Sequence, residues 1–175
     1  MNAQHQAAWY QLRNIATIDS PALVLYYDRI HANIRLAKQL AGNVANLRPH
    51  VKTNKIAEVC RMMMDEGITQ FKCATIAEAE MLGLSGAVDV LLAYQPVGPK
   101  AERFVRLMKV YTGTVFSCLV DNKTTAAELS ALAVAHRVEI RLWIDLNTGM
   151  DRTGIRPGEE ALSLWDYAAS LPVLK

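Results

Sequence analysis

The chain has 175 residues, of which 51% are hydrophobic and 21% are charged, and its formal net charge is +2. This is the composition of an ordinary globular protein. The small charge and the absence of a basic tract interleaved with aromatic residues predict neither a nucleic-acid nor a membrane partner, and no apolar run approaches the roughly 20 residues that span a bilayer.

The cysteines and the first residues bear on location. Cys60, Cys73 and Cys118 are widely spaced in apolar contexts and form no CxxC motif, so we expect buried free thiols in a reducing compartment. Residues 1–14 lack the basic start and apolar core of a signal peptide. The sequence therefore predicts a cytoplasmic protein.

The first predicted elements are a strand and a helix. Residues 1–17 are polar and read as an N-terminal extension, and a turn at Ile18–Pro21 leads into apolar β-formers that predict a strand over 22–27. Asp28 is placed to cap the following helix, whose apolar residues recur every three or four positions. Gly42 is expected to end that helix.

Residues 44–52 predict a second strand, which ends in dense polar chemistry. If it is extended, Arg48, His50 and Lys52 share one face, and Thr53 or Asn54 caps the next helix. In β/α enzymes, reactive side chains stand at the carboxyl ends of such strands. A lysine there either forms a Schiff base with a carbonyl compound or is simply solvated, and spacing alone leaves both interpretations open.

The rest of the chain alternates strands with helices. Thr75 to Glu78 has the spacing of a capping box, Pro99 suits a first helical turn, and Asp121 or Asn122 is expected to cap a later helix. This alternation of nearly all-apolar strands predicts an α/β fold with a parallel sheet covered on both faces. The predicted strands are 71–75, 88–94, 114–120 and 138–146, with another opening at 171–175.

Several motifs carry a family resemblance. The segment Arg48-Pro-His-Val-Lys-Thr-Asn-Lys55 resembles the lysine motif of the D-threonine aldolase and D-serine dehydratase family. Ile18–Ala22, Lys72–Thr75 and Asp151–Gly154 support it in the same order along the chain. That family uses pyridoxal 5'-phosphate (PLP) and has an alanine-racemase-like N-terminal barrel. The resemblance implies that Lys52 forms the internal aldimine with PLP.

The same resemblance implies a parallel (β/α) TIM-type barrel of alanine racemase type. A closed barrel has eight strands and typically needs about 250 residues. This sequence has 175 residues and offers only about five to six strands. We therefore expect residues 1–175 to be the N-terminal part of a longer PLP-binding enzyme, inactive by itself. An intact smaller open-sheet protein and a natural truncation are the alternatives. In that architecture the strand over 22–27 belongs to a C-terminal β domain that this chain lacks.

The candidate site residues are Lys52, His50 and Arg152. By the resemblance, Lys52 is both the cofactor-binding and the catalytic lysine, and Arg152 lies in the strand-end loop that carries an arginine near the PLP phenolic oxygen. A solvated loop arginine is the alternative for Arg152. His50 would stack on the ring, orient a proton or raise local polarity; otherwise it is a hydrogen-bonded histidine inside the barrel.

Other polar residues are expected in supporting roles. A structural pair with an acidic residue is favoured for Arg48. Asp145 and Asn147 end the strand before Arg152, so either one could orient it, and Tyr94 and Gln95 are candidates for lining the pocket because they end another strand.

The implied activity is that of a PLP-dependent lyase acting on small β-hydroxy D-amino acids, by aldol cleavage or by dehydration. An amino-acid racemase and a non-catalytic PLP-binding homeostasis protein are the alternatives. We assign no metal site, because no Cys/His cluster has ligand spacing; family members that carry a divalent metal bind it through C-terminal residues. A homodimer is possible for the full-length enzyme.

Overall fold

The computed structural model describes residues 8–175, in which helices and parallel strands alternate. The helices are α1 (Tyr27–Ala41), α2 (Ala57–Asp65), α3 (Ile76–Leu84), α4 (Pro99–Val110), α5 (Lys123–His136) and α6 (Glu159–Ser170). The strands are β1 (Gln70–Cys73), β2 (Asp89–Leu92), β3 (Val115–Val120) and β4 (Arg141–Ile144). Short 3-10 turns occur at Ile15–Thr17, Val44–Asn46 and Val51–Thr53.

The four strands form one parallel sheet in the order β1-β2-β3-β4. Single parallel bridges extend it at both edges, from His50 to Lys72 and from Ile140 to Leu174. Strands that follow one another in both sequence and space are the arrangement of a β/α barrel. The prediction of an incomplete barrel with five to six strand positions is thus confirmed.

Helices cover one face of the sheet, and its other face is directed toward the barrel interior. Along β1, Phe71 and Cys73 are fully buried, whereas Gln70 and Lys72 are only half-buried. Each helix contacts the next one in sequence, so the helices form a single layer on the side of Phe71. Sequential parallel strands joined by crossovers of one hand place all their helices on one side, and the other face is left for the barrel interior.

The core lies between the sheet and this helical layer. Phe104 of α4 and Phe116 of β3 meet edge to face, with ring centroids 6.2 Å apart. They belong to one continuous apolar cluster. Its largest fully buried side chains include Phe71, Phe104, Ile68, Leu82, Leu129 and Ile140. Because this core is closed on the helical side, the strand ends are held rigidly enough to position a site.

The strand predicted over 22–27 is only partly tested. Helix α1 already begins at Tyr27, so the last predicted strand residue is helical. Residues 22–26 are not in a strand, and Leu23 is 76% exposed. Its proposed partners belong to a domain outside this chain, so the assignment to a β domain stays a prediction. Most of the predicted N-terminal extension, residues 1–7, lies outside the described residues.

The strand predicted over 44–52 is wrong. Two 3-10 turns occupy most of it, and His50 makes the single bridge to β1. Pro49 has no amide hydrogen to donate, and its carbonyl accepts from the Lys72 N–H at 2.8 Å. Lys52 therefore stands in a turn that follows the sheet edge rather than within a strand.

The helix boundaries follow local capping chemistry. The predicted capping residue Asn122 is confirmed, since its side chain accepts from the Thr125 N–H at 2.8 Å, and Pro99 and Gly42 stand at the predicted ends of α4 and α1. Asp28 lies within the first turn of α1 rather than at its cap, because the helix starts two residues earlier than predicted, with Tyr26 at the cap position. There its charge still complements the positive end of the helix dipole.

All three cysteines are free and buried, as predicted. Burial raises the pKa of Cys60 to about 11 and that of Cys73 to about 12. These thiols stay protonated at neutral pH and are poor nucleophiles. Among residues 8–175, no helix has the length and apolar character needed to cross a bilayer.

Candidate functional site

The lysine motif forms a compact turn at the carboxyl edge of the sheet. Val51 is 1% exposed and anchors it, and its carbonyl accepts from the Lys55 N–H at 2.8 Å. The Nδ1 atom of His50 accepts from the Lys52 N–H at 3.3 Å, and the Thr53 hydroxyl donates to the His50 carbonyl at 3.2 Å. The backbone is fixed, while the Lys52 side chain is exposed. A free amine is thereby presented from a rigid turn.

The prediction that His50 and Lys52 share a strand face is wrong, because the alternation of side chains requires extended backbone and Lys52 lies in a 3-10 turn. The two residues are nevertheless brought together by the hydrogen bond from the Lys52 amide. The bridge between His50 and Lys72 of β1 places this pair beside the first strand of the sheet.

The start of α3 connects this turn to the core. Thr75 Oγ1 accepts from the Glu78 N–H at 3.1 Å, as the capping box predicts. The return bond reaches one residue further, because Glu78 Oε2 accepts from the Ala74 N–H at 2.7 Å. Glu78 is 5% exposed, and its other carboxylate oxygen lies 3.6 Å from Lys55 Nζ. A buried carboxylate thus ties the lysine turn to the end of β1.

Burial lowers the pKa of His50 below its ordinary value of 6.5, and repulsion from Lys52 and Lys72 lowers it further. Glu78 and a hydrogen bond to the Lys72 backbone act in the opposite direction without reversing the shift. A neutral imidazole at pH 7 agrees with Nδ1 accepting a hydrogen bond from Lys52.

We expect an NMR titration of the His50 imidazole to give a midpoint below 6.5, and Lys72→Met to raise that midpoint by removing a repulsive charge. Between the folded pKa and 6.5, the unfolded chain binds the proton more readily than the folded chain. Stability therefore falls as pH drops through this window. Lys109→Met, in the last turn of α4, is the control; equal shifts from both variants would contradict the assignment.

Arg48 has the structural role predicted for it. Its guanidinium donates to Asp89 and, at 2.7 Å, to Gln70 Oε1, and it lies 5.9 Å from the centre of the Trp143 ring. Arg48 and Asp89 are about four-fifths buried. This pairing crosses the open face of the sheet and joins β1, β2 and β4, so Arg48 is not available as a free cofactor ligand.

Arg152 lies in a loop that Asn147 organises. The Asn147 side chain accepts from the N–H groups of Gly149 and Asp151 at 3.0 and 3.1 Å, and donates to the Asp151 carboxylate at 2.9 Å. Arg152 is exposed and forms no hydrogen bond or ion pair within residues 8–175. Asn147 makes no hydrogen bond to Arg152 and instead orders the neighbouring Asp151, whose short side chain returns to the strand end. An orienting role of Asn147 toward Arg152 stays a prediction.

Gln95 joins the ends of three strands. Its Nε2 group donates to Asp121 Oδ2 and Asp145 Oδ2, each at 3.0 Å. Asp121 Oδ2 also accepts from the Gly154 N–H at 3.2 Å. We define Gln95, Asp121 and Asp145 as the amide–carboxylate bridge. It links residues after β2, β3 and β4 to the far end of the Arg152 loop.

The bridge is the feature that sequence reasoning missed. The sequence predicts Asp145 as a residue that orients Arg152, Gln95 as a pocket-lining residue and Asp121 as a helix cap, a role that Asn122 fills. The available signal was that all three residues follow strands whose carboxyl ends meet at one edge of the sheet. The direct partner of Asp145 is Gln95 rather than Arg152.

Lys52 and Arg152 stand at opposite ends of this edge. His50 pairs beside β1, whereas Arg152 follows β4, so four strand spacings of about 4.8 Å separate their positions along the sheet. The structure brings His50 and Lys52 together and leaves Arg152 across the mouth of the partial barrel. Within residues 8–175, no three His, Cys, Asp or Glu side chains are grouped to hold a metal ion.

Comparison with known proteins agrees with this architecture. The family described as "Alanine racemase, N-terminal domain" matches residues 25–175. The 3-hydroxy-D-aspartate aldolase of Paracoccus denitrificans is 30% identical over 160 residues, and the D-threo-3-hydroxyaspartate dehydratase of Delftia sp. is 27% identical over 151 residues. These stretches cover 90% and 86% of this chain but only 41% and 39% of the relatives.

A solved structure extends the likeness to three dimensions. The D-threonine aldolase from Filomicrobium marinum superposes with a TM-score of 0.82 at 27% identity, over 92% of this chain and 43% of that one. The chain thus spans about two-fifths of the length of the proteins it matches. The resemblance read from the lysine motif is confirmed: the chain belongs to the family of the alanine racemase N-terminal domain.

Proposed function

We propose that this chain is part of a PLP-dependent lyase that acts on small β-hydroxy D-amino acids and holds its cofactor through Lys52. The observation that carries the proposal is the rigid turn that presents the exposed Lys52 amine at the carboxyl edge of a parallel sheet. Active sites of β/α barrels are built at this edge. The names of the relatives, an aldolase and a dehydratase of 3-hydroxyaspartate, support the substrate class.

The residues present fit PLP at this position. An aldehyde needs an accessible amine, and Lys52 makes no side-chain hydrogen bond or ion pair within the described part of the chain. Arg152 supplies a second free cation, which suits an anionic oxygen of the cofactor. Arg48 and Lys55 are already committed to Asp89 and Glu78, so the fit points to Lys52 among the charged residues of the motif.

PLP, when bound, supplies the electron sink for bond cleavage at Cα. The contribution of this chain is positioning and charge. Lys52 would hold the cofactor, and its amine would be placed to move a proton near Cα of a bound substrate. Neutral His50 keeps an additional positive charge away from Lys52 at pH 7, and Arg152 favours the ionised form of the phenolic oxygen.

Two lyase reactions share these residues. Aldol cleavage breaks the Cα–Cβ bond as the β-hydroxyl loses its proton, which yields glycine or its analogue and an aldehyde. Dehydration removes the Cα proton and expels the hydroxyl, and the resulting enamine hydrolyses to a 2-oxo acid and ammonia. Residues that handle the β-hydroxyl distinguish the two reactions, and the described residues do not separate them.

The test is competition for Lys52. The chain is incubated with PLP, then with D- or L-threonine, 3-hydroxy-D-aspartate or D-alanine, and reduced with borohydride. We expect the label on Lys52 to decrease with the D-β-hydroxy amino acids, because their amine displaces the lysine. Equal competition by L-threonine, or none by any β-hydroxy acid, would contradict the proposal. Conversion of D-alanine to L-alanine would favour a racemase instead.

Location and assembly remain proposals of the same kind. Three buried free thiols agree with a reducing cytoplasm, and a homodimer of the whole enzyme is proposed from the resemblance alone. A labelled Lys52 that no amino acid displaces would favour the non-catalytic PLP-binding protein. A divalent metal, if the whole enzyme binds one, would take ligands from outside this chain.

A further inference from the structure

We infer that Gln95 is a positioning residue which, through the amide–carboxylate bridge with Asp121 and Asp145, fixes the loop that carries Arg152 at the mouth of the site. The inference rests on the proposed function for the purpose of the loop, but its structural content does not depend on PLP. It assigns a role to a side chain two strand positions away from Lys52.

The amide–carboxylate bridge permits only one orientation of the Gln95 amide. Both hydrogens of the Gln95 Nε2 group are used, one on each carboxylate, at equal donor–acceptor distances of 3.0 Å. The opposite orientation of the amide would place its carbonyl oxygen against two acceptors, so only this orientation is favourable. Gln95 therefore separates two half-buried carboxylates, Asp121 and Asp145, that would otherwise face each other without a shared donor.

The bridge is connected to the Arg152 loop through Asp121. Asp121 Oδ2, held by Gln95, also accepts the Gly154 N–H at 3.2 Å. The Asp145 carbonyl accepts the Ile155 N–H at 2.8 Å, and the Ile155 carbonyl accepts the Asn147 N–H at 2.9 Å. The loop is thus closed at its base by backbone bonds, and its return segment is held by one carboxylate that Gln95 orients.

Arg152 is flanked by two anchored residues. It lies between Asp151, which Asn147 holds, and Gly154, which Asp121 holds. Arg152 itself makes no hydrogen bond or ion pair within residues 8–175, so its backbone position depends on those two anchors. Loss of Gln95 leaves Asp121 and Asp145 to repel each other, and the anchor at Gly154 is the one that moves.

The test compares Gln95→Leu with Thr114→Val by amide hydrogen exchange without PLP. Gln95→Leu removes two side-chain hydrogen bonds. Thr114→Val removes one buried side-chain hydrogen bond, of 2.7 Å to the Ala87 carbonyl at the opposite end of β3, and so controls for a general loss of buried hydrogen bonding without touching the loop. In Gln95→Leu we expect exchange at Gly154 to accelerate about tenfold, the change in equilibrium that one ordinary hydrogen bond corresponds to. Thr114→Val should leave Gly154 unchanged.

A spectroscopic arm tests the purpose of the loop. We expect Arg152→Gln and Gln95→Leu to shift the pH at which the absorbance of PLP-loaded protein changes in the same direction, with little further shift in the double variant. Unchanged exchange at Gly154 in Gln95→Leu, or equal effects in Thr114→Val, would overturn the inference. If Gln95→Leu accelerates exchange at Gly154 but the unmodified chain binds no PLP at Lys52, the inference stands and only the proposed function is contradicted.

Discussion

Replacement of Lys52 by alanine is expected to reduce specific PLP attachment to the background level. The turn over Val51–Thr53 places one amine at the carboxyl edge of the sheet, and its backbone bonds do not involve the lysine side chain. The variant should therefore keep its fold while losing the absorbance of lysine-bound PLP. The measurement is an absorbance titration with PLP, accompanied by circular dichroism to confirm that the variant is folded.

Lys55→Ala is the matched control for this change. Lys55 lies three residues further on in the same motif and is similarly solvent-exposed, but its ammonium pairs with Glu78 at 3.6 Å. We expect Lys55→Ala to retain PLP attachment, although the turn loses one ion pair. If both variants lost attachment equally, the charge of the motif rather than the Lys52 amine would be responsible, and the assignment of Lys52 would fail.

Gly154→Ala is expected to be the most disruptive single substitution in the Arg152 loop. The backbone at Gly154 has φ +97°, which L-residues rarely adopt, and an added Cβ would lie 2.7 Å from the Asn147 nitrogen and 2.9 Å from the Leu146 carbonyl carbon. Both neighbours are backbone atoms and have little freedom to move. We expect a loss of about 2–4 kcal/mol in unfolding free energy, measured by urea denaturation.

Gly149→Ala provides the comparison that separates strain from crowding. Gly149 also has a positive φ, +113°, but a Cβ there would meet no heavy atom within 4 Å. The backbone penalty alone, about 1–3 kcal/mol, should remain, so Gly154→Ala is expected to lose more stability than Gly149→Ala. If the two variants lost equal stability, the close approach of Gly154 to the strand end would not explain the loss in Gly154→Ala. The proposed anchoring of Gly154 by Asp121 would then be unsupported.

The sequence was sufficient for the order of elements where periodicity and capping agree. The alternation of strands and helices after residue 56, the capping box at Thr75 and the cap at Asn122 were all predictable, because each depends on contacts within a few residues. The family resemblance added the barrel, which strand patterns alone do not distinguish from an open sheet.

The lysine motif itself was predicted in the right place but in the wrong conformation. Apolar residues at 47 and 51 suggested a strand, whereas Pro49 limits the pairing to one bridge and Val51 turns inward as the anchor of a 3-10 turn. A sequence pattern reports which side chains are buried, but the number of hydrogen bonds that a neighbouring strand accepts depends on tertiary packing.

The amide–carboxylate bridge could not be derived from spacing. The two carboxylates, Asp121 and Asp145, follow Gln95 by 26 and 50 residues, so no local pattern connects the three side chains. Their meeting depends on the register of β2, β3 and β4, which the sequence does not determine by itself. The same holds for Arg48, whose partner Asp89 is 41 residues away.

The most direct measurement is to map the residue that PLP modifies in the unaltered chain. The protein is incubated with PLP, reduced with borohydride, digested and analysed by mass spectrometry. The account predicts one dominant pyridoxyl group, on Lys52. Modification spread over exposed lysines such as Lys100, Lys109 and Lys123, or a dominant label elsewhere with Lys52 unmodified, would contradict it.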